Sequence, residues 1–290
     1  MLRSPPPNPP RPGRGNADAL PAPLRAPVRR LTARFSGTFG FWARNLRSGE
    51  VVAWQAEQQY PSASTIKLFV LRELHRQAAA GMLDLDRDRV EMRHVDVATG
   101  SGVIKDLTLG LKLSLRDAAT LMITVSDNTA TNLLIDRLGT RAINRSARAA
   151  GYTGTHCDGL IFKGRAMHSK STPRDLGAFM TNVARGRELS GAASRAMLDT
   201  LKREQYSNIV GRMIPYDPVA RGKARWLLAS KSGSLTGVRN DAAYVVGPGV
   251  RYTIALMSEG SADTRYNVDN EANLVLARLA ADVHDHFARG

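Results

Sequence analysis

The chain has 290 residues, 43% of them hydrophobic, and its 41 Lys and Arg against 26 Asp and Glu give a formal net charge of +15. Its single cysteine, Cys157, excludes an intramolecular disulfide, and no apolar run is long enough to span a bilayer. The positive charge invites a nucleic-acid partner, but the sequence has no zinc-ligand spacing and no aromatic RNA-binding strand, so none is expected.

The first 34 residues are rich in Pro, Arg and Ala and show no periodicity, which predicts a disordered tail over 1–34. Met1 is followed by a proline-rich run and not by the apolar core of a secretory signal peptide. From this sequence a cytoplasmic protein is expected, unless the true start lies elsewhere. Residues 37–46 and 51–54 then indicate two strands of a β-hairpin around a turn at 47–50.

The middle of the chain, from about 62 to 215, has mainly helical patterns. Residues 62–80 are mostly apolar at helical spacing and end at Gly81, a typical C-terminal cap. Capping sequences at Ser114 and Thr172 predict the beginnings of further helices. The central part of the chain is therefore expected to form a helical lobe.

Strand patterns return at 226–232, 241–246 and 252–257, before a last amphipathic helix over about 267–287. Strands at both ends with helices between them predict an α/β (α+β) fold. In this fold one antiparallel sheet is built from both termini and flanked by helices, with an all-helical lobe inserted in the middle.

These patterns predict a single catalytic domain over 35–290. Its α/β lobe would combine 35–60 with 216–290, and its helical lobe would span 61–215. Because binding sites tend to form in clefts between such lobes, we expect the functional residues to meet there.

The segment Ser64-Thr65-Ile66-Lys67 begins the first of these helices, so Lys67 lies one turn from Ser64. An alcohol needs a base to become a good nucleophile, and a lysine buried near another cation can lose its proton and act as that base. The first N–H groups of a helix have no partner within it, so the Ser64 N–H can face a developing oxyanion. Alone, such a pair is more often a helix cap and a surface charge.

Two further motifs follow in the chain. Ser126-Asp127-Asn128 lies at a break between two predicted helices, and Lys231-Ser232-Gly233 ends a predicted strand. Each of them alone is typical of an ordinary turn or strand end. Together with the first motif, in this order and on these elements, they resemble the S-x-x-K, S-D-N and K-T-G set of class A β-lactamases and penicillin-binding proteins, with serine replacing threonine in the third.

The resemblance to class A β-lactamase-type serine hydrolases covers about residues 36–288 and extends to the residues around each motif. It implies a catalytic role for four residues. Ser64 would attack the substrate carbonyl with Lys67 as base or proton relay, and Ser126 would pass a proton to the leaving nitrogen. Lys231 would keep its neighbours deprotonated through its charge and help to hold a substrate carboxylate.

The resemblance also implies a set of substrate-binding residues. Asn128 would hold the substrate amide, the N–H groups of Ser64 and Ser234 would form the oxyanion hole, and Arg239 falls where some members place a carboxylate-binding arginine. A surface arginine in a turn is an equal alternative for Arg239. The full predicted binding set is Asn128, Ser232, Gly233, Ser234 and Arg239, with no metal and no cofactor.

One departure from the family concerns deacylation. Class A enzymes carry a glutamate after the second motif that activates the hydrolytic water, but this chain has no glutamate between Thr129 and Arg187. The expected position falls near Ile161. His156 and Asp158 are the nearest candidates for a replacement base, although such loop residues are more often turn formers or solvated. Cys157 between them is interpreted as a small half-buried residue and not as a second nucleophile.

The sequence therefore predicts a β-lactamase-like serine hydrolase that works through an acyl-enzyme at Ser64, on a β-lactam or an acyl-D-Ala-like substrate. In deacylation, Lys67 or the pair of Lys67 and Ser126 would serve a second time as the base. Otherwise the acyl-enzyme would persist and turnover would be slow. The alternatives are a DD-peptidase or esterase acting on D-Ala peptides or esters, and a non-catalytic penicillin-binding or sensing module. A monomer without a membrane span is expected, and the location stays open because the family is usually exported.

Overall fold

The computed structural model describes residues 20–162, 168–214, 216 and 225–289. Its centre is a five-stranded antiparallel sheet of β1 (Thr38–Asn45), β2 (Val51–Trp54), β7 (Leu227–Leu235), β8 (Val238–Gly247) and β9 (Val250–Glu259). The order of the strands across the sheet is β2-β1-β9-β8-β7. The prediction of one antiparallel sheet built from both ends of the chain is therefore confirmed.

In the described part of the chain between these strands, α-helices are joined by loops, 3-10 turns and two short strand pairs. The helices are α2 (Lys67–Ala79), α3 (Leu115–Thr124), α4 (Asn128–Leu138), α5 (Thr140–Ala149), α6 (Pro173–Ala184) and α7 (Gly191–Leu201). The short strands are β3 (Tyr60–Pro61) paired with β6 (Lys170–Ser171), and β4 (Arg89–Glu91) paired with β5 (Lys112–Ser114). How the chain divides into lobes stays a prediction.

Two hydrophobic cores lie on the two faces of the sheet. Because side chains alternate along a strand, Ala242 and Tyr244 of β8 pack with the central helices, whereas Ala243 and Val245 face the other way. On that other face the sheet is covered by α8 (Glu271–Arg289) and α1 (Ala22–Arg34). None of the helices in the described ranges is both long and apolar enough to cross a bilayer.

The prediction of a disordered tail is wrong for residues 22–34, which form α1. Leu24, Val28 and Leu31 are buried at a spacing of four and three residues, so they form one apolar stripe that joins the core beneath α8. The Pro and Arg content of the segment concealed this spacing. The rest of the predicted tail, residues 1–19, lies outside the described residues.

Candidate active site

Ser64 lies in a turn of 3-10 helix, Ala63–Ile66, directly before α2 begins at Lys67. Ala63 has a φ of +47°, in the left-handed region that is costly for any residue with a side chain. The Ser62 carbonyl closes the turn by accepting from the Thr65 N–H at 3.1 Å. Ser64 is thus held ahead of the first regular helical turn, where backbone N–H groups have no hydrogen-bond partner within the helix.

Strand β7 passes so close to this turn that the third motif must end in glycine. A Cβ on Gly233 would lie 2.9 Å from the backbone nitrogen of Ser64. Asn240 on β8 secures the contact, because its Nδ2 donates to the carbonyls of Pro61 at 2.8 Å and Ser62 at 3.0 Å. Backbone packing therefore brings the first and third motifs together.

Lys67 connects the first motif to the second. Its fully buried Nζ lies within hydrogen-bonding distance of three oxygens, the Ser126 carbonyl at 2.6 Å, Ser126 Oγ at 2.9 Å and Asn128 Oδ1 at 2.8 Å. These contacts place the lysine nitrogen next to the hydroxyl that the resemblance assigns to proton transfer.

The surroundings of Lys67 favour its neutral form. Burial lowers the pKa of Lys67 well below its usual range, and the positive charge of Lys231 lowers it further, against the opposing charges of Asp127 and Glu204. A neutral amine has a lone pair that can accept a proton. The shift in the pKa of Lys67 is therefore in the direction that its predicted role as a general base requires.

Asp127, the central residue of the second motif, holds the surrounding backbone. Its carboxylate accepts from the Ala130 N–H at 2.8 Å as the cap of α4, and from the N–H groups of Val103 at 2.6 Å and Ile104 at 3.0 Å. The preceding Ser126 has a φ of +53°. The cap fixes this strained turn and directs the side chains on either side of Asp127 toward Lys67.

Lys231 of the third motif is fully buried and forms an ion pair with Glu204, at 2.5 Å from Nζ to Oε1. The same carboxylate accepts from Ser230 Oγ, Ser232 N and Ser232 Oγ, each at 2.7 Å. The sequence analysis missed Glu204, which follows α7 and is 27 residues from Lys231 in the hydrogen-bonded pair. No local spacing could have identified it.

Asp241 lies on β8 directly opposite Ser232 and is completely buried. Its Oδ2 accepts from the Val210 N–H at 3.0 Å, whereas Oδ1 has no hydrogen-bond partner in the part of the chain that is described. Burial, and after it the negative charge of Glu204, raise the pKa of Asp241 from its usual 3.8 to about 7. A second acidic group thus lies beneath the third motif and keeps its proton up to near neutral pH.

The variant Asp241→Asn is expected to become more stable relative to the wild type as the pH rises from about 4 to about 7. In this window the native wild-type protein retains a proton that the unfolded chain has released, so its stability falls with pH through this group. An asparagine has no proton to lose and can still accept from Val210. Melting temperatures of both proteins at pH 5, 6 and 7 test this, and a constant difference between them would contradict it.

Arg239 is buried and held by backbone oxygens. Its Nη1 donates to the carbonyls of Leu235 and Val238, both at 2.7 Å, and its Nη2 donates to the Arg265 carbonyl. Its guanidinium lies over the ring of Tyr266, 4.9 Å from the ring centre. Arg239 is therefore not a surface arginine, and several of its donors are engaged within the protein.

These elements surround a cavity of about 520 Å³. The predicted residues that line it are Ser64, Ser126, Asn128, Ser232, Gly233, Ser234 and Arg239. Lys67 and Lys231 are buried behind this lining and donate to Ser126 and to the Ser232 carbonyl, respectively. Much of the remaining lining is apolar or aromatic, with Ile161, Phe162, Tyr206, Leu235, Tyr266 and Val268. The structure thus gathers all nine predicted positions at one cavity, while their chemical roles stay predictions.

Among the described lining residues there is no Asp, Glu or His. Ile161, where the missing glutamate was expected, is buried against the cavity, and its backbone is fixed by Asn132 through bonds of 2.7 and 3.1 Å. His156 pairs with Lys170 in a β-bridge, and neither it nor Asp158 is part of the lining. The structure therefore brings neither candidate replacement base to the cavity.

Cys157 also lies outside the cavity lining. Its thiol is buried, and burial raises its pKa, so the reactive thiolate is disfavoured. Its backbone N–H donates to Asn144 Oδ1 at 2.8 Å. The residue is therefore a small packed side chain, more fully buried than expected.

Comparison with protein families matches residues 23–287 to the β-lactamase enzyme family. Among curated proteins, β-lactamase 1 of Streptomyces cacaoi is 28% identical over 282 residues, which cover 91% of this chain and 84% of that protein. The match therefore includes nearly the whole described chain, together with all three motifs.

Solved structures show the same similarity. The β-lactamase of Sphaerobacter thermophilus superposes with a TM-score of 0.81 at 27% identity, over 92% of this chain and 98% of that one. A leucine-to-glutamate mutant of PBP-A, solved as an acyl-enzyme complex with penicillin G, superposes with a TM-score of 0.80 at 26% identity, over 92% and 97% of the two chains.

Proposed function

The chain belongs to the β-lactamase enzyme family, and we propose that it opens β-lactam rings through an acyl-enzyme formed at Ser64. The observation that carries this proposal is the buried Lys67, which is one turn from Ser64 and 2.9 Å from the Ser126 hydroxyl. The relatives support it, since one is a β-lactamase and another holds penicillin G as an acyl-enzyme. They do not favour the D-Ala peptidase, esterase or sensing alternatives.

Acylation would begin with the neutral amine of Lys67 accepting the proton of Ser64. The Ser64 Oγ then forms a bond to the lactam carbonyl carbon, and the carbonyl electron pair moves onto its oxygen. As that pair returns, the carbon–nitrogen bond breaks. Lys67 passes its proton through Ser126 to the leaving nitrogen, so the proton taken from Ser64 ends on the opened ring.

The oxyanion would be held by two backbone N–H groups, those of Ser64 and Ser234. Strand β7 is at the edge of the sheet, and the Ser232 N–H points away from β8 because it donates to Glu204. Since N–H groups two residues apart point the same way, the Ser234 N–H faces the same edge, where the cavity lies. Each such donor typically contributes about 3–4 kcal/mol to transition-state stabilisation.

Deacylation is expected to limit turnover. Hydrolysis of the ester needs a base for the attacking water, and the described lining of the cavity offers no carboxylate and no imidazole. Lys67 is the remaining group that can accept a proton. A monomeric protein that uses no metal and no cofactor stays our prediction for this reaction.

Exposure to benzylpenicillin is expected to increase the mass of the intact protein by one whole penicillin molecule, located at Ser64. Because the attacking oxygen is lost in Ser64→Ala, that variant should show no adduct. A chromogenic cephalosporin should then give a burst equal to the enzyme concentration, followed by slow turnover. No adduct on the wild type, or an equal adduct on Ser64→Ala, would reject the nucleophile. Fast turnover without a burst would reject slow deacylation.

A further inference from the structure

The carboxylate of Glu204 already occupies the polar groups that a substrate anion would use. Its Oε1 accepts from Lys231 Nζ at 2.5 Å and from the Ser232 N–H and Ser232 Oγ at 2.7 Å each, while Oε2 accepts from Ser230 Oγ at 2.7 Å. Of these donors, Ser232 lines the cavity. The first two residues of the third motif, and Ser230 before them, are therefore bound by one internal anion.

This arrangement changes what Lys231 and Ser232 can offer to a substrate. A hydroxyl has a single proton, so Ser232 Oγ cannot donate to a substrate carboxylate while it donates to Glu204. The positive charge of Lys231 is balanced at contact distance inside the protein, since both members of the ion pair are almost completely buried. An incoming carboxylate would also be repelled by the negative charge of Glu204.

Arg239, the other cation at this end of the cavity, is similarly engaged. It donates to the carbonyls of Leu235, Val238 and Arg265, and the ring of Tyr266 covers one face of its guanidinium. The nearby Asp241 adds no positive charge and becomes a second anion when it ionises. The electrostatic attraction for a substrate carboxylate is therefore weaker than the two cations by themselves suggest.

We propose that Glu204 is a specificity-determining residue, which reduces the preference of the site for acyl donors with a carboxylate beside Lys231 and Ser232 over neutral donors of the same shape. This inference rests on the proposed acylation of Ser64. Glu204 acts through Lys231 and Ser232 and does not itself touch the reacting atoms. The wild-type protein accordingly accepts β-lactams whose carboxylate is esterified.

The test compares benzylpenicillin with its methyl ester, which differ only in the charge of the carboxylate. The second-order rate constant for acylation of Ser64 is measured for both compounds from the time course of intact mass. For the wild type we expect the two rate constants to lie within about tenfold of each other, because one charge-assisted hydrogen bond is worth about that factor. A preference for the free acid of more than about a hundredfold would overturn the proposal without any variant.

The variant Glu204→Gln keeps the shape of the side chain and removes its charge. We expect the ratio of acid to ester rate constants to rise about tenfold or more, because Lys231 is no longer balanced. The matched control is Glu188→Gln, which removes another buried carboxylate, paired with Arg72 at 2.6 Å and absent from the cavity lining. That control should leave the ratio unchanged even if both rates fall.

A purely structural role of Glu204 would lower both rate constants equally, and an unchanged ratio in Glu204→Gln would therefore overturn the proposal. If Glu204→Gln does not fold, Glu204→Asp, which withdraws the carboxylate by one methylene, should move the ratio in the same direction. If neither compound labels Ser64 in the wild type, the proposed acylation is wrong and the inference falls with it. Labelling by both compounds with an unchanged ratio rejects the inference alone.

Discussion

The variant Lys67→Met is expected to acylate about 10²–10⁴ times more slowly with benzylpenicillin than the wild type. This is the usual contribution of a positioned general base, and Lys67 is the titratable group that contacts the Ser126 hydroxyl. Methionine fills a similar volume without a lone pair on nitrogen, so the fold should be retained while proton transfer is lost. The rate is measured as the time course of the acyl-enzyme mass.

A surface lysine provides the control for this variant. Lys202 pairs with Asp199 on the exposed side of the protein, and Lys202→Met should acylate at the wild-type rate. In the wild type, acylation should rise with pH and reach its plateau well below pH 10.5, the usual pKa of lysine, because the pKa of Lys67 is lowered. A folded Lys67→Met protein with undiminished acylation, or a plateau only above pH 10.5, would exclude Lys67 as the base.

The variant Ile161→Glu is expected to release the acyl group about 10²–10⁴ times faster than the wild type, which would convert a slow enzyme into an efficient one. Ile161 lines the cavity, and Asn132 fixes its backbone on both sides. A glutamate there would be buried, so its pKa would rise toward neutral, the range in which a carboxylate is an effective base for water. The decay of the acyl-enzyme mass after removal of excess penicillin measures this rate.

The matched control is Ile161→Gln, which introduces a polar side chain of the same length without a basic carboxylate. Its acyl-enzyme should persist about as long as that of the wild type. Equal release by the glutamate and glutamine variants would mean that polarity or water entry limits deacylation. Release by the wild type as fast as by Ile161→Glu would show that another base is already present.

The sequence was sufficient for the parts of the site that depend on local geometry. Ser64 and Lys67 are three residues apart at a helix beginning, so any chain that folds this way places them on one face. Asp127 was placed at a break between two predicted helices, and it lies there as the cap of α4. The strand patterns at the two ends of the chain likewise predicted the antiparallel sheet, because alternation with period two is a local property.

The helix over residues 22–34 was not predicted, because the composition of this segment is typical of a disordered tail. The Pro and Arg content of residues 22–34 predicted disorder, yet Leu24, Val28 and Leu31 form a stripe with a partner surface in α8. The stripe is readable in the sequence, but whether it is covered depends on an element some 250 residues away along the chain, so composition alone favoured the wrong interpretation.

The sequence by itself determined which chemical groups the site contains, since three motifs in a fixed order supply the hydroxyl and the amine that we propose as nucleophile and base, together with a cationic strand end. The tertiary structure alone decided how those groups are charged and occupied. Glu204 meets Lys231 and Ser232 only because the segment after α7 lies along the edge of β7. Electrostatic interaction depends on distance in space and on burial, and neither is encoded in the spacing of a short motif.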